Sequence, residues 1–176
     1  MHESVMDWVA ACVTAHDLDR GRVLDIGSLD VNGTTRGLFA NATQYVGLDI
    51  REGRGVDTVG SSHNLRLRFG FHAFDTVACT EMLEHDSDPH ATMSEVARVL
   101  IPGGHCLFTA RGICEAQCQD CTCGRPHGFG MHGEPNDYWR FTAQTFPMLF
   151  DTSGIDTIDV IEDTQAPGWF AIGQKQ

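Results

Sequence analysis

The 176 residues of this chain include 24 acidic and 12 basic side chains, and the formal charge of −12 argues against a surface that wraps a nucleic-acid backbone. No apolar run approaches the ~20 residues that a membrane-spanning helix needs, and the chain starts with Glu3 and Asp7 rather than the basic residues of a signal peptide. We therefore expect a cytoplasmic protein without a nucleic-acid or membrane partner. Its seven cysteines are then expected to be thiols or metal ligands rather than disulfides.

The first part of the chain predicts a helix followed by two strands. Apolar residues at helical spacing over 3–16 predict an amphipathic helix laid on the core. Residues 23–26 are a short apolar run, typical of a strand buried on both faces. Gly27 allows a sharp turn, and 31–40 is predicted to form a helix whose free N–H groups point at a ligand. The apolar run 45–48 predicts the second strand.

The rest of the chain continues this alternation. In chain order we predict a short strand at 56–59, an ambiguous stretch at 61–72, a strand at 74–79, a helix begun by Ser87-Asp88-Pro89, a strand at 106–110, a helix near 142–152 and closing strands at 155–161 and 168–173. The alternation is typical of an α/β fold, a three-layer sandwich whose sheet is mostly parallel with an antiparallel terminal strand pair. The length fits a single domain.

The turn at Gly27 and the acid that follows the second strand, Asp49, together indicate a ligand that contains a ribose. A carboxylate at the tip of the second strand is where folds of this type bind a ribose diol. A dinucleotide fingerprint from Gly27 would need glycine at 29 and 32, where Leu29 and Asn32 stand instead. The glycine pattern therefore disfavours a nicotinamide cofactor, while Asp49 suits either ligand.

Four segments, in a fixed order, resemble the class I S-adenosylmethionine-dependent methyltransferases. They are VLDIGS at 23–28, YVGLDI at 45–50, FDTVACTEMLEHDSDP at 74–89 and VLIPGGHCLFTA at 99–110. A fifth, HGEPNDYWRFT at 132–142, is similar to one found in a subset of small bacterial-type members. The chain departs from the family at Leu29, where glycine is preferred, and at Ser61, where many relatives have an acid.

The resemblance implies a Rossmann-like fold, S-adenosyl-L-methionine as cofactor and transfer of its methyl group to an acceptor. By position it implies that the cofactor is held at the ends of the first, second and fourth strands and by the segment after the third, through Asp25, Gly27, Ser28, Asp30, Asp49, Ile50, Ser61, Thr80 and Glu81. We expect one methyltransferase domain over 1–176, with the N-terminal helix 3–16 and a Cys- and His-rich loop insertion at 112–137.

The candidates for the chemistry are Glu81, Glu84 and His85 after the fourth strand and His132, Asp137 and Tyr138 in a stretch that we call the late loop (132–138). Of these, His85, His132, Asp137 and Tyr138 are the predicted catalytic residues. Methyl transfer requires in-line alignment and, for a hydroxyl acceptor, removal of a proton, which suits a histidine near neutral pH. The structural alternatives are a partly exposed histidine at a helix start and an aromatic corner of ordinary core.

The acids near these candidates bear on the substrate. They are Glu81, Glu84, Asp86 and Asp137. An acidic mouth would repel phosphates and favour a neutral or cationic acceptor. We therefore expect a small-molecule or sugar hydroxyl as the acceptor, with an amine as the second class.

A cluster of thiols and imidazoles sits in the loop insertion. It consists of Cys114, Cys118, Cys121, Cys123 and His127. Such short spacing in a loop with little core of its own favours a structural zinc site. Free thiols on a flexible lid and a redox-active loop are the alternatives. Two further functional classes stay open for the whole chain, a degenerate cofactor-binding interaction module and a zinc-organised adaptor.

Overall fold

The computed structural model describes residues 2–117, 126–133 and 136–176, and nine strands lie in these ranges. In chain order they are β1 (Arg22–Ile26), β2 (Gln44–Asp49), β3 (Thr58–Val59), β4 (Phe74–Thr80), β5 (Leu100–Arg111), β6 (Ile113–Gln117), β7 (Pro126–Gly128), β8 (Ile155–Glu162) and β9 (Gly168–Lys175). Seven form one sheet in the order β3-β2-β1-β4-β5-β9-β8, while β6 and β7 form a separate antiparallel ribbon.

The direction of the strands confirms the predicted sheet. β1 to β5 all run parallel to one another, whereas β9 is antiparallel to both of its neighbours, β5 and β8. The terminal pair is thus antiparallel, with β8 at the edge of the sheet and β9 inside it. The carboxyl ends of β1, β2, β4 and β5 consequently meet at one edge, which we call the carboxyl edge.

Helices cover both faces of this sheet. They are α1 (Glu3–His16), α2 (Leu65–Phe69), α3 (Pro89–Val99) and α4 (Thr145–Asp151). On one face α1 buries Val9 in a cluster with Val23, and on the other α3 and α4 bury Met93 and Phe146 in a cluster with Leu24. Consecutive strand residues point to opposite faces, so Val23 and Leu24 belong to different layers. The three-layer sandwich is confirmed.

The helix predicted over 31–40 is wrong. Residues 31–35 form bends, and a single 3₁₀ turn, Arg36–Phe39, follows them. Gly33 has φ +130°, far from a helical value, so the chain does not continue as a helix after the turn in which Asp30 Oδ1 accepts the N–H of Gly33 at 2.9 Å. Because this segment is not helical, it places no helix N-terminus at the end of β1.

Other element boundaries differ by a few residues. The helix start at Asp88 is confirmed, since Asp88 Oδ1 accepts the N–H of Ala91 at 3.1 Å. β5 begins at Leu100 rather than 106, directly after α3, and its pairing with β4 shifts register between Phe74 and Thr76. The ambiguous stretch 61–72 contains a 3₁₀ turn (Ser62–Asn64) and α2. Within the described ranges no helix is long and apolar enough to cross a membrane.

Candidate active site

The loops after β1 and β4 touch at Gly27. Gly27 has φ +80° and donates its N–H to the carbonyl of Leu48 at 2.8 Å. A Cβ at this position would lie 2.8 Å from Cβ of Met82. Glycine is therefore required here on two grounds, its backbone conformation and the close approach of the neighbouring loop. Next to it, Ser28 is buried and its Oγ has no hydrogen-bond partner among the described residues.

Asp49 lies at the tip of β2, where the sequence predicts ribose binding. One carboxylate oxygen accepts the N–H of Leu29 at 3.3 Å and the other the N–H of Arg51 at 2.9 Å. Each oxygen can accept a further hydrogen bond, because an ionised carboxylate offers about four acceptor sites. Asp49 is thus oriented by its own loops and retains capacity for a ligand. Ile50 beside it is exposed.

The loop 51–55 folds onto the loop after β1. Asp30 donates its N–H to the carbonyl of Arg54 at 2.8 Å, and Arg54 Nε lies 3.1 Å from the Asp30 carboxylate. A Cβ at Gly53 would lie 2.4 Å from Cδ1 of Leu29. Leu29, which replaces the glycine preferred by the family, therefore occupies the contact between these two loops.

Three predicted cofactor residues are engaged inside the fold. Asp25 is buried, and its carboxylate accepts hydrogen bonds from Tyr45 Oη at 2.5 Å and Thr35 Oγ1 at 3.3 Å. Burial raises the pKa of Asp25 to about 6 against the opposing effect of these bonds. Ser61 Oγ accepts the N–H of His63 at 3.1 Å and so caps a 3₁₀ turn. Thr80, the last residue of β4, is buried.

Glu81 is held by a buried arginine that sequence reasoning missed. Glu81 has φ +54°, a strained value for a residue with a side chain, and its carboxylate accepts from Thr109 Oγ1 at 2.8 Å and pairs with Arg111. Arg111 is fully buried and also donates to Asp163 Oδ2 at 2.9 Å. Burial raises the pKa of Glu81 despite this pairing. An arginine at the end of an otherwise apolar strand was the available signal for this network.

Glu84, His85 and His132 form a cluster beside Glu81, which we call the Glu–His cluster. Glu84 is fully buried, and neither carboxylate oxygen has a hydrogen bond among the described residues. His132 Nε2 lies 3.8 Å from Glu84 Oε1, an ion-pair contact that raises the pKa of His132. The rings of His85 and His132 are 4.8 Å apart between centroids. The structure thus brings the two predicted catalytic histidines together at Glu84, which is itself a candidate from the sequence.

Asp137 holds the late loop in place next to this cluster by binding Arg140 and the backbone of His132. Its buried carboxylate accepts from Arg140 at 2.6 and 2.7 Å and from the N–H of His132 at 2.7 Å. Arg140 holds the pKa of Asp137 well below its usual range, so this carboxylate orients the loop and is a poor base. Tyr138 donates its N–H to the carbonyl of Glu84 at 2.8 Å, while its ring is half exposed and its hydroxyl bonds Asn136.

The acidic mouth is mostly neutralised by partners. Asp86 lies 2.7 Å from His63 Nε2 and 2.5 Å from Thr92 Oγ1, and Glu81 and Asp137 are paired with arginines. Of the four acids, Glu84 is the one without a hydrogen bond in the described part of the chain. The expected repulsion of phosphates is therefore weaker than the composition of the mouth suggests.

The zinc prediction stays a prediction. Cys118, Cys121 and Cys123 lie outside the described residues. Cys114 and His127 are opposite each other in the ribbon of β6 and β7. The remaining cysteines, at 12, 79 and 106, are free and buried, as the apolar pattern around them predicts.

Sequence comparison assigns a family. The model of the methyltransferase domain matches residues 1–155. A ubiquinone biosynthesis O-methyltransferase of Alkalilimnicola ehrlichii is 28% identical over 119 residues, 59% of this chain and 46% of that protein. One from Vibrio cholerae is 45% identical over 38 residues, 22% of this chain and 16% of that protein. The chain thus spans about half or less of the length of these curated relatives.

Solved structures share the fold. An S-adenosylmethionine-dependent methyltransferase of Mesorhizobium loti has a TM-score of 0.66 at 18% identity, covering 97% of this chain and 98% of that one. Phosphoethanolamine N-methyltransferase 2 of Haemonchus contortus, in complex with S-adenosyl-L-methionine, has a TM-score of 0.62 at 20% identity, covering 89% and 38%. Since the family model matches most of the chain and the fold agrees, this chain belongs to the methyltransferase-domain family of S-adenosylmethionine-dependent methyltransferases.

Proposed function

We propose that this chain transfers a methyl group from S-adenosyl-L-methionine to a hydroxyl of a small molecule or sugar, with an amine as the second acceptor class. The observation that carries this proposal is the Glu–His cluster, which lies at the carboxyl edge directly after Glu81. Two imidazoles beside a buried carboxylate provide acceptors for a hydroxyl proton at the edge where the cofactor is expected.

The described residues fit this cofactor. The turn at Gly27 carries no side chain, Ser28 has a buried hydroxyl without a hydrogen-bond partner among the described residues, and Asp49 keeps free acceptor capacity. We propose that Asp49 accepts hydrogen bonds from the ribose hydroxyls and that Ser28 and the backbone at Gly27 face the methionine part. When bound, the sulfonium supplies an activated methyl group, so the protein has to align the acceptor and remove its proton.

A hydroxyl acceptor is favoured over an amine by the sequence relatives, which are named O-methyltransferases. His85 and His132 are the candidate groups for taking the acceptor proton, and Asp137 and Tyr138 orient the loop that carries His132. A cytoplasmic location is part of this proposal and is supported by the free thiols at 12, 79 and 106.

The test is a methyl-transfer screen that reads out S-adenosylhomocysteine with small alcohols, sugars, amines, proteins and nucleic acids as acceptors. We expect turnover on small hydroxyl compounds. Turnover confined to duplex DNA or RNA contradicts the proposed substrate class.

A binding module without catalysis is the second candidate. It is favoured by the contact of Leu29 with Gly53, which brings together two loops that flank the expected cofactor position. Calorimetric titration with S-adenosylhomocysteine tests the methyltransferase proposal against this module. Absence of binding at high micromolar ligand contradicts the proposal that the chain is a methyltransferase.

We also propose zinc in the loop insertion, supported by the donor chemistry of its cysteines. Elemental analysis of protein purified without chelator should find zinc, and Cys121→Ser should lose about one zinc ion per chain while the α/β core survives. Metal-free protein with freely titratable loop thiols contradicts this site.

A further inference from the structure

We propose that the Glu–His cluster is a binding site for a divalent cation, separate from the cysteines of the loop insertion. Glu84, His85 and His132 each offer one ligand atom, and these atoms all lie within 4.8 Å of one another. They come from two segments far apart in the chain, the 3₁₀ turn Leu83–His85 and the late loop. Binding of the cation does not depend on the proposed methyl transfer; only its catalytic role does.

Glu84 carries the strongest evidence for a missing positive partner. Its side chain has no exposed surface, and both carboxylate oxygens lack hydrogen bonds among the described residues. Two other buried carboxylates of this edge have close cationic partners, Arg111 for Asp163 and Arg140 for Asp137. An ionised carboxylate buried in this way is strongly unfavourable unless a cation compensates it. His132 Nε2, at 3.8 Å, is too distant for a hydrogen bond and leaves room between the two groups.

The two histidines are arranged so that their Nε2 atoms have no hydrogen bond within the described ranges and can coordinate a cation. His85 Nδ1 lies 2.5 Å from the carbonyl oxygen of Asn136, which can only accept a hydrogen bond, so Nδ1 carries the proton. His132 Nδ1 similarly faces the carbonyl of Gly130 at 3.3 Å. Metal-bound histidines almost always donate their second ring N–H to such an acceptor, which fixes the tautomer and directs the other nitrogen at the metal.

The cluster is also held in place before any ligand arrives. Asp137 accepts the backbone N–H of His132 and is itself clamped by Arg140. Gly133 has φ +65°, and a Cβ there would lie 2.7 Å from Cε1 of His85. The segment that follows His132 is therefore packed against His85 and holds the two rings together, as a preformed coordination site requires.

Donor chemistry narrows the class of cation. Two imidazole nitrogens and one carboxylate oxygen suit Zn²⁺, Mn²⁺, Co²⁺ or Fe²⁺ rather than Ca²⁺ or Mg²⁺, which prefer oxygen ligands. Three protein ligands leave at least one position for water or an acceptor oxygen. Given the proposed function, a cation here would lower the pKa of a coordinated hydroxyl, whose proton would pass to solvent water because both imidazoles would then be ligands and not bases.

The test is calorimetric titration of the chelator-treated chain with Mn²⁺ and Co²⁺, together with the visible spectrum of the Co²⁺ form. We expect Glu84→Gln and His85→Gln to weaken binding of the cation at this site by about 10- to 100-fold or more. His90→Gln, which changes an exposed histidine outside the cluster, should leave binding unchanged. Cys121→Ser should leave the spectrum of this site, with nitrogen and oxygen ligands alone, intact.

Either of two results overturns the proposal: absence of Mn²⁺ and Co²⁺ binding to the chelator-treated chain, or binding that is equal in Glu84→Gln, His85→Gln and the starting chain. If no Mn²⁺ or Co²⁺ binds, the protonated ring of His132 is the group that balances the charge of the Glu84 carboxylate. Because His85 is only partly buried, its variant keeps the test readable if Glu84→Gln does not fold. Binding of S-adenosylhomocysteine, measured on the same samples, shows separately whether the proposed function fails.

Discussion

The two sides of the carboxyl edge, at the ends of β1 and β2 and at the ends of β4 and β5, differ in how far their ion pairs are exposed to solvent. On the β1–β2 side the ion pairs reach solvent: the Arg54 side chain that pairs with Asp30 is 86% exposed, and the Arg51 side chain near Asp49 is 68% exposed. On the β4–β5 side Arg111 and Asp163 are 1% and 0% exposed. Exposed pairs contribute little to stability, whereas a buried charge that loses its partner is strongly destabilising. The β4–β5 side is therefore where geometry is most tightly constrained.

The largest effect is expected from Arg111→Met. The variant leaves the carboxylates of Glu81 and Asp163 without their guanidinium, and we expect the free energy of unfolding to fall by about 3–5 kcal/mol. Urea unfolding measures it. The triple variant with Glu81→Gln and Asp163→Asn should recover most of the loss, because no unpaired charge remains. A fall in unfolding free energy below about 1 kcal/mol for Arg111→Met would show that the buried ion pairs of the β4–β5 side are worth no more than the exposed pairs of the β1–β2 side.

Asp25→Asn should change how stability depends on pH. Burial raises the pKa of Asp25 from 3.8 to about 6, so between these values the folded state holds a proton that the unfolded state has lost. The unfolding free energy then falls as pH rises, by about 3 kcal/mol in all at ~1.4 kcal/mol per pKa unit. The asparagine variant lacks this loss, so its stability relative to the parent chain should rise from pH 4 to pH 7. A difference that is constant with pH contradicts this.

Asp49→Ala should weaken binding of S-adenosylmethionine and S-adenosylhomocysteine by about ten- to a hundredfold. Charge-assisted hydrogen bonds to the ribose hydroxyls are worth roughly 1.5–3 kcal/mol, which corresponds to this range. Calorimetry gives the dissociation constants. Arg51→Ala is the matched control, since its guanidinium lies 4.0 Å from Asp49 and is exposed. An unchanged constant for Asp49→Ala would place the cofactor elsewhere.

The smallest effect is expected from Arg54→Ala, the exposed counterpart of Arg111→Met. Removing the partner of Asp30 should lower the free energy of unfolding by less than about 1 kcal/mol, because solvent screens this pair. The same urea experiment applies. A loss as large as that of Arg111→Met would show that the loop contact at 51–55, rather than charge burial, governs the stability of this edge.

Much of the sheet was predictable because its strands are short apolar runs with clear ends. The runs at 23–26, 45–48 and 74–79 correspond to β1, β2 and β4, and Asp88-Pro89 marks the start of α3. The helix predicted over 31–40 is wrong, since the positive φ of Gly33 interrupts the segment despite its apolar pattern. The apolar pattern alone carries no information about this backbone conformation.

The candidate site was predictable in part. His85 and His132 were identified by residue type, and their contact follows from the fold. The isolation of Glu84 and the pairing of Arg111 with Asp163 depend on contacts between segments distant in the chain, which no local pattern contains. The zinc prediction for Cys118, Cys121 and Cys123 stays a prediction, because these residues lie outside the described ranges.

The position of β9 inside the sheet bears on the order of events during synthesis. Helix α1 packs Trp8 on Phe170 of β9 with ring centroids 5.3 Å apart, and β8 has β9 as its sheet neighbour. The nascent chain therefore carries an unpaired β8 and a Trp8 ring without its partner until β9 has been made. Contacts of such large sequence separation form slowly. Cotranslational folding should thus proceed from β1–β4 outward, with the contact of Trp8 on Phe170 forming late.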